Sequence, residues 1–178
     1  MTLESLAKMG QEYGHSSLAA LDADRLKAMR NASLRACFNR IEDTPFRIEP
    51  VARIIGREYI NDAAARTPNA TWYALETLQG GLIWIACGSD HPVDYSKLVP
   101  SALRKVRMLL VLGPDEQLRN AFKDAVHNIQ SCSSLSEALH LAYLYDAQDV
   151  SVLFSPATDD GIPSWVWGER FRHEVNEL

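Results

Sequence analysis

One stretch limits the folds open to this chain more than any other: Gly81-Leu82-Ile83-Trp84-Ile85-Ala86-Cys87. From Leu82 onward it is a nearly continuous apolar run, set between a Gly80-Gly81 turn and Gly88. Such a run reads as a strand buried on both faces. The polar loop Ser89-Asp90-His91-Pro92-Val93-Asp94 follows it. In open α/β sheets, ligands bind in the crevice outside the carboxyl ends of the strands. A central strand here therefore places Asp90, His91 and Asp94 where a site would be.

The flanking sequence agrees with that placement. Residues 1 to about 40 carry Leu18, Leu21, Leu26, Met29, Leu34 and Cys37 at roughly helical spacing, with Tyr13-Gly14 and Asn31 as breaks. Asp43-Thr44-Pro45 marks a boundary, because proline cannot continue a helix. Two β-rich runs around Gly56 read as a hairpin closed by Asn61 and Asp62. Pro68 suits the first turn of a helix reaching about Leu78. Strand then alternates with helix: strand Leu82–Cys87, helix Tyr95–Lys105, strand Met108–Leu112, and a helix from Asp115 to about Ala125 with Asp115 as its cap. A short strand at Val126–Ile129, helix Leu135–Tyr145 capped by Ser133 or Ser134, strand Val150–Phe154 and helix Trp165–Asn176 complete the order. This alternation predicts a mostly parallel α/β sheet with right-handed crossovers.

Several function classes are disfavoured. A chain of 178 residues allows one domain, or one with an extension. A net charge of −5 argues against a nucleic-acid or anionic-membrane surface. No apolar run approaches the roughly 18 residues of a membrane span, and no signal-peptide pattern is present. Cys37, Cys87 and Cys132 lack metal-ligand spacing, and reduced thiols fit a cytoplasmic protein. Phosphate-loop, dinucleotide, hydrolase-elbow and zinc-protease motifs are all missing.

What remains is three strand ends: Asn61-Asp62, Gly88-Ser89-Asp90-His91 and Ser155-Pro156-Ala157-Thr158-Asp159-Asp160. In a parallel sheet these ends can converge, assembling Asp62, Asp90, His91 and Ser155 around one crevice. The plainer readings are that Asp62, Asp90 and Asp94 cap turns and helices and that His91 is an exposed loop residue. Arg47 would then pair with a carboxylate, Asp159-Asp160-Gly161 would be a turn, and Trp165 and Trp167 packing anchors.

Taken together, the strand ends resemble the C-terminal domain of Mur ligases, with the D-glutamate-adding branch the nearest in pattern. Thr44-Pro45-Phe46-Arg47-Ile48-Glu49 is similar to that family's Pro-His-Arg-Phe/Leu-Glu strand, and Ile60-Asn61-Asp62-Ala63-Ala64-Ala65-Arg66-Thr67 to its Ile-Asn-Asp-Ser-Lys-Ala-Thr-Asn loop. Cys87-Gly88-Ser89-Asp90-His91-Pro92-Val93-Asp94 resembles its Gly-Gly-x-Asp-Lys-x-x-Asp loop. Phe154-Ser155-Pro156-Ala157 resembles its Leu-Ser-Pro-Ala motif, and Gly168-Glu169-Arg170-Phe171 its closing Glu-Arg-Gly-x-x-Phe. Gly10-Gln11 and Leu18–Leu21 look like the last helix of the preceding, central domain. The resemblance implies a Rossmann-like sheet of about six strands with helices on both faces over residues 45–178, and a helical extension over residues 1–44.

For function, the resemblance implies nucleotide contacts at Arg47 and Asp62 and substrate contacts at Asp90, His91 and Ser155. ATP and magnesium enter only where a P-loop central domain is supplied; alone, the chain has no cofactor. The departures fall on charge. Ala64 and His91 stand where the family has lysines, and Arg66 where it has a threonine. Thr158-Asp159-Asp160-Gly161-Ile162 replaces the stretch that grips D-glutamate, so two carboxylates stand where an anionic amino acid would bind. The expectation is a binding or interaction module without autonomous ligase activity. The alternative is the C-terminal part of an ATP-dependent UDP-N-acetylmuramoylalanine–D-glutamate ligase, working with a P-loop partner or belonging to a longer chain.

Overall fold

The computed structural model describes residues 44–147 and 149–178; the predicted N-terminal helices and Cys37 lie outside them. The elements run β1 (Glu49–Ile54), β2 (Arg57–Asn61), α1 (Pro68–Thr77), β3 (Gly81–Cys87) and α2 (Val99–Lys105), which a 3-10 turn at Ser96–Leu98 precedes. They continue with β4 (Val106–Leu112), α3 (Glu116–Phe122), β5 (Ile129–Cys132), α4 (Leu135–Leu144), β6 (Val150–Phe154) and α5 (Ser164–Asn176). The sheet has six strands in the order β1-β2-β6-β3-β4-β5. Only the β1–β2 hairpin is antiparallel; every other pairing is parallel.

The apolar run is the centre of this sheet, and every residue of β3 is buried. Successive side chains on a strand point to opposite faces, and here the alternation separates two cores. Leu82, Trp84 and Ala86 join Leu75 of α1, Ala102 of α2 and Leu118 and Phe122 of α3. Ile83, Ile85 and Cys87 join Leu135 and Leu139 of α4 and Trp167 and Phe171 of α5. A strand with no polar face needs both layers, and burying each side chain of this size contributes about 1.5–3 kcal/mol.

Two cations close helix ends at the other end of the sheet. Lys105 Nζ donates to the carbonyls of Leu75, Glu76 and Leu78 at the end of α1, at 2.6, 3.0 and 2.8 Å. The Arg57 guanidinium does the same for Ala142, Tyr143, Tyr145 and Ala147 at the end of α4. Carbonyls at a helix C-terminus have no intrahelical partner and carry partial negative charge, so a cation fits there.

Three expectations are corrected. The fifth strand is Ile129–Cys132 and not Val126–Ile129: the Val126 amide still bonds back to the Phe122 carbonyl at 2.8 Å, which keeps it out of the ladder. Asp115 does not cap α3; its carboxylate takes Arg119 at 2.8 Å and the Ser131 hydroxyl. Trp165 is not a packing anchor but 63% exposed, while Trp167 is buried against Phe154 with ring centroids 5.5 Å apart. Ser134 does cap α4, accepting from the Glu137 amide at 3.1 Å.

Candidate functional site

The ends of β2 and β6 are neighbours because those strands pair in parallel, Asn61 opposite Phe154. The next residues on each, Asp62 and Ser155, therefore meet. Ser155 Oγ donates to Asp62 Oδ2 at 2.8 Å, and Thr71 Oγ1 of α1 lies 2.8 Å from the same hydroxyl. Arg47, in the turn before β1, reaches Asp62 Oδ1 at 2.5 Å, and the Ile48 amide donates to that oxygen at 3.2 Å. Trp84 Nε1 donates to the Ser155 carbonyl at 2.8 Å. Asp62, Thr71 and Ser155 are fully buried and Arg47 is 8% exposed. Burial pushes the Asp62 carboxyl up to about 7, against the pull of Arg47 and of the Ser155 and Ile48 donors.

The backbone over this cluster is strained. Phe46 and Ile48 have φ of 60° and 46°, and Ala157 beyond Ser155 has 64°. Left-handed backbone at residues with a Cβ costs about 1–2 kcal/mol each, so the surrounding contacts must hold it. The Phe46 carbonyl accepts from the Ala64 amide at 3.1 Å. The Phe46 ring fills a notch that exists because residue 168 is glycine: a Cβ there would lie 2.2 Å from the ring. The Arg172 guanidinium sits over the ring at 4.7 Å.

Asp90 and His91 are elsewhere. The predicted single crevice does not form: Asp62 and Ser155 are sealed, whereas Asp90 and His91 are exposed on a rim after β3. Gln117 of α3 shapes that rim. Its Nε2 donates to the Ser89 and His91 carbonyls at 2.7 and 2.9 Å, and its Oε1 accepts from the Val93 amide at 3.0 Å. Asp94 accepts from the Ser96 amide at 2.9 Å, an aspartate turn over Tyr95 ahead of the 3-10 turn. The rim borders an open hollow of about 540 Å³ whose far wall is Asp159, Asp160 and Gly161. Asp159 is ion-paired with Arg66, and Asp160 Oδ2 accepts from Trp167 Nε1 at 2.7 Å.

An adjoining cavity of about 250 Å³ reaches Cys87, Leu135, Asp160, Trp167 and Arg170. Burial first, and then the neighbouring Asp160 carboxylate, raise the Cys87 thiol well above its ordinary value. It stays protonated at neutral pH, which removes it as a nucleophile. Among the described residues no group of His, Cys, Asp and Glu is arranged to hold a metal.

The polar groups of this cluster bond one another. The Asp62 carboxylate is taken by Arg47, Ile48 and Ser155, and the Arg47 guanidinium is turned to Asp62 and the Ala70 carbonyl. Two participants and one pairing escaped the sequence reading. Thr71 and Trp84 carry one usable signal, a polar handle in an otherwise apolar buried element that has to find a partner. Arg66 and Asp159, 93 residues apart in sequence, carried none.

No protein-family model matches the chain. It is 35% identical over 182 aligned positions to the UDP-N-acetylmuramoylalanine–D-glutamate ligase of Porphyromonas gingivalis ATCC 33277, covering 100% of this chain and 40% of that protein. To the ligase of the same name from Christiangramia forsetii it is 33% identical over 158 positions, with 88% of this chain and 36% of that protein covered. The chain thus spans about two-fifths of the length of the relatives it matches. In fold it is similar to the bifunctional folylpolyglutamate synthase/dihydrofolate synthase of Yersinia pestis CO92. The TM-score is 0.50 at 19% identity, over 76% of this chain and 31% of that one. Over its whole length, then, this chain is a relative of the C-terminal part of the D-glutamate-adding Mur ligases, and residues 44–178 have the Mur ligase C-terminal fold.

Proposed function

We propose that this chain is a Mur-ligase-type C-terminal domain that acts as a binding or interaction module and is not an autonomous ligase. The Arg66–Asp159 ion pair carries this reading. It joins the loops after β2 and β6, and both residues stand where the resemblance puts the handling of an anionic amino acid. The neighbouring lysine position is Ala64, which has no charge to offer a carboxylate, and Asp90 and Asp160 add negative charge around the hollow. A carboxylate ligand needs fixed cations or oriented donors, and the cation here already has a partner. The partner class is a protein, a P-loop ligase subunit or another; neither nucleic acid nor a membrane fits the charge balance. Among the described residues no helix is long and apolar enough to cross a membrane.

A second reading rests on the 35% identity across the full chain: that the domain completes an ATP-dependent UDP-N-acetylmuramoylalanine–D-glutamate ligase in peptidoglycan synthesis. ATP and magnesium would then be supplied by the partner's P-loop domain. One assay separates the two. The chain is mixed with the Porphyromonas gingivalis relative shortened by the part that this chain matches. ATP, magnesium, D-glutamate and UDP-N-acetylmuramoyl-L-alanine are added, and phosphate release is followed. No turnover is expected. Turnover by the unaltered chain would overturn the first reading and establish the second.

A further inference from the structure

We infer that a second copy of this chain docks on the groove between the β1–β2 turn and the end of α4, forming a two-fold dimer. The inference goes beyond the interaction module proposed above, since it names a partner that needs no ligase. The turn is the first observation. Ile54 pairs with Arg57, so Ile55 and Gly56 form a two-residue loop, with φ of 49° and 78°. Both are left-handed, where asparagine, aspartate or glycine is the usual choice. A β-branched residue is strained there, and Ile55 is 82% exposed, so no burial within this chain offsets the strain. Leu144, the last residue of α4, is 72% exposed. Both residues line one open groove of about 750 Å³, together with Tyr143 and Tyr145. The other exposed large apolar residues among those described, Trp72, Leu103, Ile162 and Trp165, lie outside it. Apolar residues that share a groove inside a polar rim mark an interaction site more than scattered ones do.

The charges on the rim select the occupant. Arg53 stands on the hairpin wall, and Asp146 and Asp149 follow α4 on the other. A second hollow shares Tyr145 and Asp149 with the first and adds Arg107. Among the described residues none of Arg53, Arg107, Asp146 and Asp149 has an ion pair. Their neighbours are already engaged: Arg57 on the Tyr145 and Ala147 carbonyls, Arg104 on Glu76, and Lys105 on the end of α1. Unpaired charges of both signs thus surround an apolar centre. A uniformly acidic or uniformly basic partner meets like charge on part of such a rim. A two-fold contact sets the patch against its own copy turned round, so that the cations of one copy face the carboxylates of the other. The groove lies where β2 and β6 start, at Arg57 and Val150. A dimer through it leaves the loops after β2, β3 and β6 uncovered.

The test is sedimentation velocity on the full chain from about 5 to about 500 μM, a range that covers weak and moderate dimers. The sedimentation coefficient should rise with concentration from monomer to dimer and stop there. Ile55→Asp and Leu144→Asp should each raise the dissociation constant at least about tenfold, as loss of a central apolar contact does. Two further variants read the charge pattern. Arg53→Glu with Arg107→Glu makes the rim acidic. Asp146→Lys with Asp149→Asn makes it basic, and asparagine tolerates the φ of 57° at position 149. Each variant alone should self-associate about tenfold more weakly than the wild type, whereas an equimolar mixture of the two should dimerise as the wild type does. A wild type that stays monomeric throughout overturns the proposal, and is the result that a groove for a different protein would give. Association that Ile55→Asp and Leu144→Asp leave unchanged overturns it too, because another surface then holds the copies. Growth beyond a dimer, or a mixture that fails to associate, overturns the two-fold pairing. If circular dichroism shows that a variant does not fold, the wild-type series and the remaining variants decide. The ligase assay above bears on none of these outcomes, so the two readings fail separately.

Discussion

Neighbouring strands of one sheet finish in opposite ways. Where β2 and β6 end, Asp62 and Ser155 are wholly enclosed and bonded to Arg47, Ile48, Thr71 and Trp84. Where β3 ends, Asp90 and His91 lie in the open on a rim that Gln117 holds through backbone groups. Both ends present an aspartate, and only the surroundings differ. At the sealed end Asp62 joins Arg47 on one oxygen and Ser155 on the other. Arg47, Asp62 and Ser155 thus have a structural role in closing that end of the sheet.

The contrast can be broken most forcefully at Trp84. Trp84→Ala removes a fully buried ring that packs edge-on to Phe122 at 5.3 Å and strips the Ser155 carbonyl of its donor. A loss of about 3–5 kcal/mol in urea unfolding is expected. Ser155→Ala leaves Asp62 and Thr71 short of a buried partner, and the same measurement should read about 1–3 kcal/mol. Gly168→Ala sets two effects against each other. A helix gains up to about 1 kcal/mol from the exchange, but the new Cβ meets the Phe46 ring at 2.2 Å, and forcing a packed group aside costs about 1–3 kcal/mol. A small net loss should appear as a lower thermal midpoint.

In the unaltered protein the difference takes the form of a slope with pH. The folded Asp62 keeps its proton to about pH 7, whereas the unfolded chain releases it near its ordinary 3.8. Between those values the folded state binds the extra proton. The stability that Asp62 contributes is therefore greatest below about pH 4, falls as pH rises towards 7 and is flat above it. Urea midpoints at pH 5 and pH 7.5 should differ more in the wild type than in Asp62→Asn; equal differences would contradict the sealed cluster. The smallest effects belong to the rim. Asp90→Asn and His91→Ala should each stay within about 0.5 kcal/mol, as surface substitutions do. A larger loss at either would mean that the rim is structural as well.

The order of elements was legible because it depends on local pattern. Leu82–Cys87 reads as a doubly buried strand from composition alone, and Pro68 and Ser134 start their helices where the sequence expects. Errors fell where tertiary contacts compete with local preference. Asp115 gave up capping for Arg119 and Ser131, and Val126 stayed with the preceding turn. At the site, the sequence by itself determined which residues end each strand, since that follows from the apolar runs and the polar or turn residues that stop them: Asp62, Gly88 and Ser155-Pro156. Only the tertiary structure decided which of those ends are sealed. Enclosure depends on who arrives from a distance: Arg47 and Trp84 at Asp62 and Ser155, and Arg66 at Asp159. Partners so far apart in the chain leave no mark on the local pattern at either end.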